Sequence, residues 1–266
     1  MTSTAIARQR RHTLYFLEAV RAFAPVYLDT EIDMSRVAEH REAAREHGER
    51  VSVVSYVLYA AARALAAHPE ANAAIRGRRR PRVARYREVN GKLTLDKTLD
   101  GHRVVLAVVL PALDRADLPA IQRLVDRYRD GDPATMPEFA GARALHRLPG
   151  PIGRALFRLG LSSLAKRPAL LGTFAVTSLG HRPVDSFHSV GGTTVTLGVG
   201  RVRDRPVVRE GRLAVAPVMR LSLAFDHRVI DGAEAADVLA DIKTSLEAWT
   251  APASAAPTAP TSAGRV

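Results

Sequence analysis

LSLAFDHRVIDGA, residues 221–233, is the stretch on which the reading of this chain turns. Residues 219–225 form a β-type run, which predicts a strand that delivers His227 at its end. Asp231-Gly232 follows and leads into an amphipathic helix over residues 233–249. An imidazole has a reference pKa of about 6.5, so at neutral pH much of it is unprotonated and able to take a proton. Asp231, four residues downstream, is placed to fix local geometry through an arginine ion pair, and Gly232 permits a backbone turn that other residues resist. Taken as bare chemistry, His-x-x-x-Asp-Gly is only moderately specific, because a lone histidine at a strand end is more often structural.

Upstream of this run, a turn at residues 209–212 separates it from a strand at 193–202, and another strand is expected at 172–178. Asp117-Leu118-Pro119 opens a helix whose apolar face is Leu118, Ile121, Leu124, Val125 and Tyr128. Short strands are expected at 82–89, 92–94 and 104–110. The most apolar stretch, VSVVSYVLYAAARALAA at 51–67, is shorter than the roughly 20 residues of a bilayer span, and Arg63 interrupts it. It reads as a buried helix. Before it come a charged helix at 36–46 that Ser35 is placed to cap, a strand at 26–34, and a helix at 11–23 stopped by Pro25. Strands and helices mix without a regular βαβ rhythm, which predicts one α/β domain on a mixed sheet over residues 11–249. Residues 1–10 and the Pro/Ala-rich tail, 250–266, are expected to be disordered.

Composition narrows the function classes. The 266 residues are 47% hydrophobic and 25% charged, which fits a folded soluble protein rather than a disordered one. Cysteine is absent, so disulfides, thiolate nucleophiles and cysteine-built metal centres are excluded. The net charge of +12 favours polyanions, but aromatic residues are only 5% and do not interleave with basic ones, so a nucleic-acid partner is not expected. The densest cluster, RGRRRPRVARYR at 76–87, reads as a solvated loop. No apolar signal region precedes residue 10, and a cytoplasmic location is expected.

With its flanks, LSLAFDHRVIDGA closely resembles the signature of the acyltransferase (E2) catalytic domain of 2-oxo acid dehydrogenase complexes, in the superfamily of chloramphenicol acetyltransferase. GTFAVTSLG at 172–180 is similar to the family's GTFTISNLG strand, TVTLGVGRV at 194–202 to its ILGVG strand, and PVVREGRL at 206–213 to the turn that follows. HPEANAAI at 68–75 resembles the PELNAS segment, and residues 11–35 resemble the opening helix and strand. The resemblance implies a chloramphenicol acetyltransferase-like two-layer sandwich on a mixed β-sheet. It also implies a homotrimer whose active sites lie between subunits. It makes His227 the general base on a thiol, either of coenzyme A or of dihydrolipoamide, and Thr177 the hydroxyl that stabilises the oxyanion. Ser178 is the fallback if the register slips by one, and Thr196 stands where chloramphenicol acetyltransferases carry a threonine near the intermediate. Asp231 supports the shape of the site, with Arg11 as its partner or Arg228 in its place. Asp226 and Arg228 read as structural, and His12, His102, His146, His181 and His188 as surface residues.

A coenzyme A thioester is thus the expected substrate, with no metal and with any lipoyl group supplied in trans, because the lipoyl and subunit-binding domains of full-length E2 proteins have no counterpart in this sequence. Partners of that kind are a lipoyl-carrier protein or other dehydrogenase-complex components. Two further readings stay open: a small-molecule O- or N-acetyltransferase, and a non-catalytic E2-like scaffold. The resemblance is interrupted at about residues 140–170 by an inserted basic amphipathic segment. Within it, 149–167 fits a membrane-surface helix or a lid. The favoured reading is a helix packed across its own domain with a charged outer face.

Overall fold

The computed structural model describes residues 5–77 and 79–250. Helix α1 (Arg11–Ala19) leads through a 3-10 turn to strand β1 (Pro25–Asp33), then to helices α2 (Ser35–Glu46) and α3 (Val53–Ala67). Asp33 Oδ1 accepts from the Ser35 N–H at 3.0 Å, so Ser35 is the first residue of α2 rather than its cap. At α3 the side chain of Ser52 accepts from the Ser55 N–H and does cap the helix. Tyr56, Val57, Leu58 and Leu65 are fully buried there, along with most of its alanines.

A two-stranded ribbon follows, β2 (Ala73–Arg76) with β3 (Arg82–Arg85). Part of the basic cluster is therefore a hairpin and not simply a loop. One of its arginines, Arg85, is bound to Glu70. Next come β4 (Gly91–Leu99), β5 (His102–Leu110) and α4 (Leu118–Asp130), whose cap Asp117 accepts from the Ala120 N–H at 2.7 Å. Helices α5 (Ala140–Arg147), α6 (Gly150–Gly160) and α7 (Arg167–Leu171) precede β6 (Phe174–Ser178), β7 (Val195–Arg209), β8 (Arg212–Asp226) and α8 (Gly232–Glu247).

Six strands form one mixed sheet in the order β1-β8-β7-β6-β4-β5, with β6 parallel to both of its neighbours and the other pairs antiparallel. Glu210 and Gly211 both take positive φ, which suits a tight hairpin between β7 and β8. Those strands extend seven residues beyond the expected 193–202 and 219–225. Their outer halves carry Val208, Leu213 and Val215 in the open, so no buried face marked them in the sequence.

Period-two alternation sorts the sheet into two faces. Leu93, Phe174, Val176, Val195, Leu197, Leu221, Leu223 and Phe225 pack with α3, α4 and α8 in the main core. Burying each large apolar side chain contributes about 1.5–3 kcal/mol. The opposite face carries two register rows. Lys92, Ala175, Thr196, Ala224 and Tyr27 form one, and Thr94, Thr177, Gly198, Ser222 and Asp29 the other. A strap over residues 179–193 crosses this face. Its contact is backbone-close, for a Cβ on Gly198 would sit 2.4 Å from Phe187 O and one on Gly200 2.0 Å from Asp185 O.

The inserted segment does pack across its own domain, but its outer face is mixed and not purely charged. Arg154 and Arg158 pair with Glu18 of α1, at 3.0 and 2.7 Å, and both stay more than half exposed. Gly153 lies against Tyr15, and Ile152, Leu156 and Leu159 face outward. His146, expected at the surface, is buried beside α1. At the N-terminus, Arg8–Arg10 form a 3-10 turn where disorder is expected, while residues 1–4 and 251–266 lie outside the described residues. Among the described residues no helix is long and apolar enough to cross a membrane.

Candidate active site

His227 stands one residue past the end of β8, and its N–H donates to Ala24 O at 2.9 Å just before β1. The residues on either side lock that corner. Arg228 Nε and Nη2 donate to Asp226 Oδ1 and Oδ2 at 2.8 and 2.5 Å, and the Ala24 N–H also points to Asp226 Oδ1. Asp226 is buried, so this pair is structural, and it holds the Arg228 guanidinium even more firmly protonated than usual. The His227 ring remains half-exposed, with Nδ1 3.4 Å from Asp231 Oδ1. Asp231 is itself highly exposed and makes no hydrogen bond to the ring, and among the described residues Nε2 has no partner either. Arg11 does not take part in this pairing. Its Nη1 donates to the carbonyls of Leu148 (2.7 Å) and His146 (3.3 Å), so it ties α1 to the inserted helices instead of meeting Asp231 within the chain.

Thr177 lies elsewhere. It lines a cleft of about 540 Å³ with Thr94, Asp96, Lys97 and Arg182, at the far end of β6. Among the described residues its hydroxyl makes no side-chain hydrogen bond. The register sets Thr177 level with Ser222, five residues before His227 on β8. At a rise of about 3.4 Å per residue that is roughly 17 Å along the sheet. One chain therefore does not bring the two groups together.

The neighbouring candidates have other duties. Ser178 Oγ accepts from the Gly180 N–H at 3.3 Å and shapes the turn into the strap. Thr196 is buried, and its Oγ1 accepts from the Gly191 N–H at 2.9 Å, pinning the strap from below.

Two cations on this face were not singled out by the sequence reading. Lys92 is buried, donates to Gly191 O, and lies 4.8 Å from the centre of the Phe16 ring. Burial, and then the charge of Arg167, push its pKa down to about 8. Arg167 itself donates to Ile75 O at 2.8 Å, while its Nε, sealed from solvent, has no hydrogen-bond partner among the described residues. A lysine at an alternating strand position looks like an ordinary solvent-facing residue. Only the strap above it makes it a core group.

Residues 3–133 and 164–253 match the family described as 2-oxoacid dehydrogenases acyltransferase (catalytic domain). The chain belongs to that family. The acyltransferase-family match omits residues 134–163, so α5 and α6 are additional to it. A curated relative is the dihydrolipoyllysine-residue acetyltransferase component of the pyruvate dehydrogenase complex from Staphylococcus aureus. It is 27% identical over 260 residues, covering 92% of this chain and 51% of the relative. The chain thus spans about half the length of that protein. Among solved structures, a probable dihydrolipoamide acetyltransferase from Listeria monocytogenes superposes with a TM-score of 0.69 at 20% identity, covering 93% of this chain and 94% of the other. The dihydrolipoamide acetyltransferase of Azotobacter vinelandii gives 0.69 at 19% identity, with 93% and 92% covered. This likeness establishes the acyltransferase catalytic-core fold, an α/β architecture on a mixed sheet.

Proposed function

We propose that residues 11–249 form an acyltransferase domain that moves an acyl group between coenzyme A and a dihydrolipoamide-type thiol. The observation that carries this reading is the His227 corner. A half-exposed imidazole stands at a strand end, with Nδ1 3.4 Å from the Asp231 carboxylate and Nε2 without a hydrogen bond among the described residues. A free thiol with a pKa of about 8.5 is mostly protonated at neutral pH, whereas the thiolate is the nucleophile. His227 removes the acceptor's S–H proton as its sulfur attacks the thioester carbonyl carbon and a new C–S bond forms. The Thr177 hydroxyl donates to the oxyanion of the tetrahedral intermediate. The bond to the first sulfur then breaks, and His227 returns the proton to that leaving thiolate.

In the Azotobacter vinelandii enzyme a serine, a histidine and an asparagine four residues further on have a role in the catalytic mechanism. Thr177, His227 and Asp231 correspond in residue class or spacing, with threonine for serine and aspartate for asparagine. The separation of Thr177 from His227 within one chain supports a site built between subunits of a homotrimer. The exposed Val208, Leu213 and Val215 on the β7–β8 hairpin supply apolar surface for such association. The lipoyl group comes in trans in this scheme, from a carrier protein or dehydrogenase-complex component, and the reaction runs in the cytoplasm.

The test mixes the protein with acetyl-coenzyme A and dihydrolipoamide and follows S-acetyl-dihydrolipoamide and free coenzyme A by chromatography. His227→Ala should lower the rate at least about 100-fold, with an unchanged circular dichroism spectrum. Equal rates for both proteins with every acyl chain would end the proposal. Acylation of an alcohol or amine but not of dihydrolipoamide would replace it with the small-molecule reading.

A further inference from the structure

Helix α6 presents two unlike faces. Gly153 and Phe157 lie toward α1. A Cβ on Gly153 would sit 3.0 Å from the Tyr15 hydroxyl, and the Phe157 ring centre is 6.2 Å from that of Tyr15. Away from α1, Ile152, Leu156 and Leu159 follow one another at i, i+4 and i+7, which sets them in one stripe. Their exposures are 51%, 49% and 68%. Leu170 of α7, half exposed, extends the stripe at its C-terminal end, where a Cβ on Gly160 would lie 4.0 Å from Leu170 Cδ1. A helix that only covers its own domain carries polar residues in such places, because the inward face already supplies the packing.

The charge around the stripe has one sign. Residues 140–171 contain six lysines and arginines and no aspartate or glutamate. Arg147, Arg154, Arg158 and Lys166 are the exposed ones. Glu18 is a single carboxylate shared by Arg154 and Arg158, so positive charge stays in excess. An apolar stripe rimmed by cations is complementary to a surface that is anionic outside and hydrocarbon beneath. We propose that α6 and Leu170 dock the protein on an anionic lipid bilayer, with the helix axis in the plane of the interface and the stripe among the headgroups. The size of the face favours lipid over a protein partner. A stable protein interface takes about 20–30 residues a side, and the stripe with its cations falls far short of that. An interfacial helix needs only a short apolar row with electrostatic attraction beside it. Helix α6 lies outside the acyltransferase-family match, and the docking face stands whether or not the acyltransferase reading does.

The experiment floats the full chain, in its assembled state, with vesicles of phosphatidylcholine alone or mixed with phosphatidylglycerol, at low and at high salt. The wild type should float with the anionic vesicles only, and high salt should release it. Leu156→Ser combined with Leu159→Ser should weaken binding at least about tenfold through the lost apolar burial, and the paired Leu156→Met and Leu159→Met should keep it. Arg147→Gln combined with Lys166→Gln should weaken it about 25-fold, at about fivefold for each cation near an anionic leaflet. All of these side chains are exposed, so melting temperatures should stay near that of the wild type. The chain has no cysteine, so an environment-sensitive dye on the Leu159→Cys variant reads depth directly. Its emission should shift to the blue with anionic vesicles, while the same dye on Ala236→Cys, at the exposed side of α8, should not respond. A wild type that floats with neither vesicle overturns the proposal, as do serine variants that bind like the wild type. A dye response at both positions would assign the attraction to the charge of the whole chain and not to α6. Serine variants that change the oligomeric state in ultracentrifugation would make the stripe a contact between copies of this chain, which also overturns it.

Discussion

Lys92 shows how one residue can be plain in the sequence and unusual in the fold. The unfolded chain keeps this proton up to the ordinary lysine value of 10.5, and the folded chain only to about 8. Between those values the unfolded state binds more protons, so stability rises as pH increases, and below pH 8 the full penalty is present. Tyr56, whose phenol burial pushes up to about 12, acts oppositely above its usual value of 10.0, because the unfolded chain then releases a proton that the folded chain retains. The clean window is therefore pH 8 to 10. The melting temperature of the wild type should climb across it, and that of Lys92→Met should climb less. Parallel curves would mean that Lys92 keeps an ordinary pKa. His227 and Asp231 stand at the other extreme, for their spacing was legible in the sequence and only their distance from Thr177 was not.

Among the elements, the strap over residues 179–193 governs the face that carries Thr177. Residues 197–200 alternate Leu, Gly, Val, Gly, with the two large side chains in the core and the two glycines under the strap. The alternation was readable as a strand. The strap's path was not, because nothing local tells which distant segment a bare glycine face receives. Gly200→Ala would place a methyl group against Asp185 O and near Arg220 O. It should cost about 2 kcal/mol, in the range of core overpacking, measured by urea denaturation. An unchanged midpoint would show that the strap shifts freely. The insertion was likewise legible as basic and amphipathic, but not in its orientation. Glu18, more than 130 residues away in sequence, pairs with two of its arginines at the surface.

For the whole molecule, the decisive question is where a complete site forms. His227→Ala and Thr177→Val should each be nearly inactive. If the site joins two chains, refolding an equal mixture should restore roughly one quarter of the wild-type sites, the fraction of neighbouring pairs that unite an intact histidine with an intact threonine. No recovery, with mixed oligomers present, would place the site within one chain and contradict the 17 Å separation estimated from the strand rise.

From sequence alone come the α/β class, the helices of the core, the catalytic-domain signature and the position of His227 at a strand end. The class, the helices and the strand end depend on local periodicity, capping and short-range spacing, and the signature on its resemblance to a known family. The tertiary structure alone decided that Thr177 and His227 sit at opposite ends of the sheet, that Arg11 serves the insertion and not Asp231, and that Lys92 is roofed over. Register and packing between segments far apart in the chain set those relations, and a side chain's partners across such distances leave no periodic trace in the order of residues.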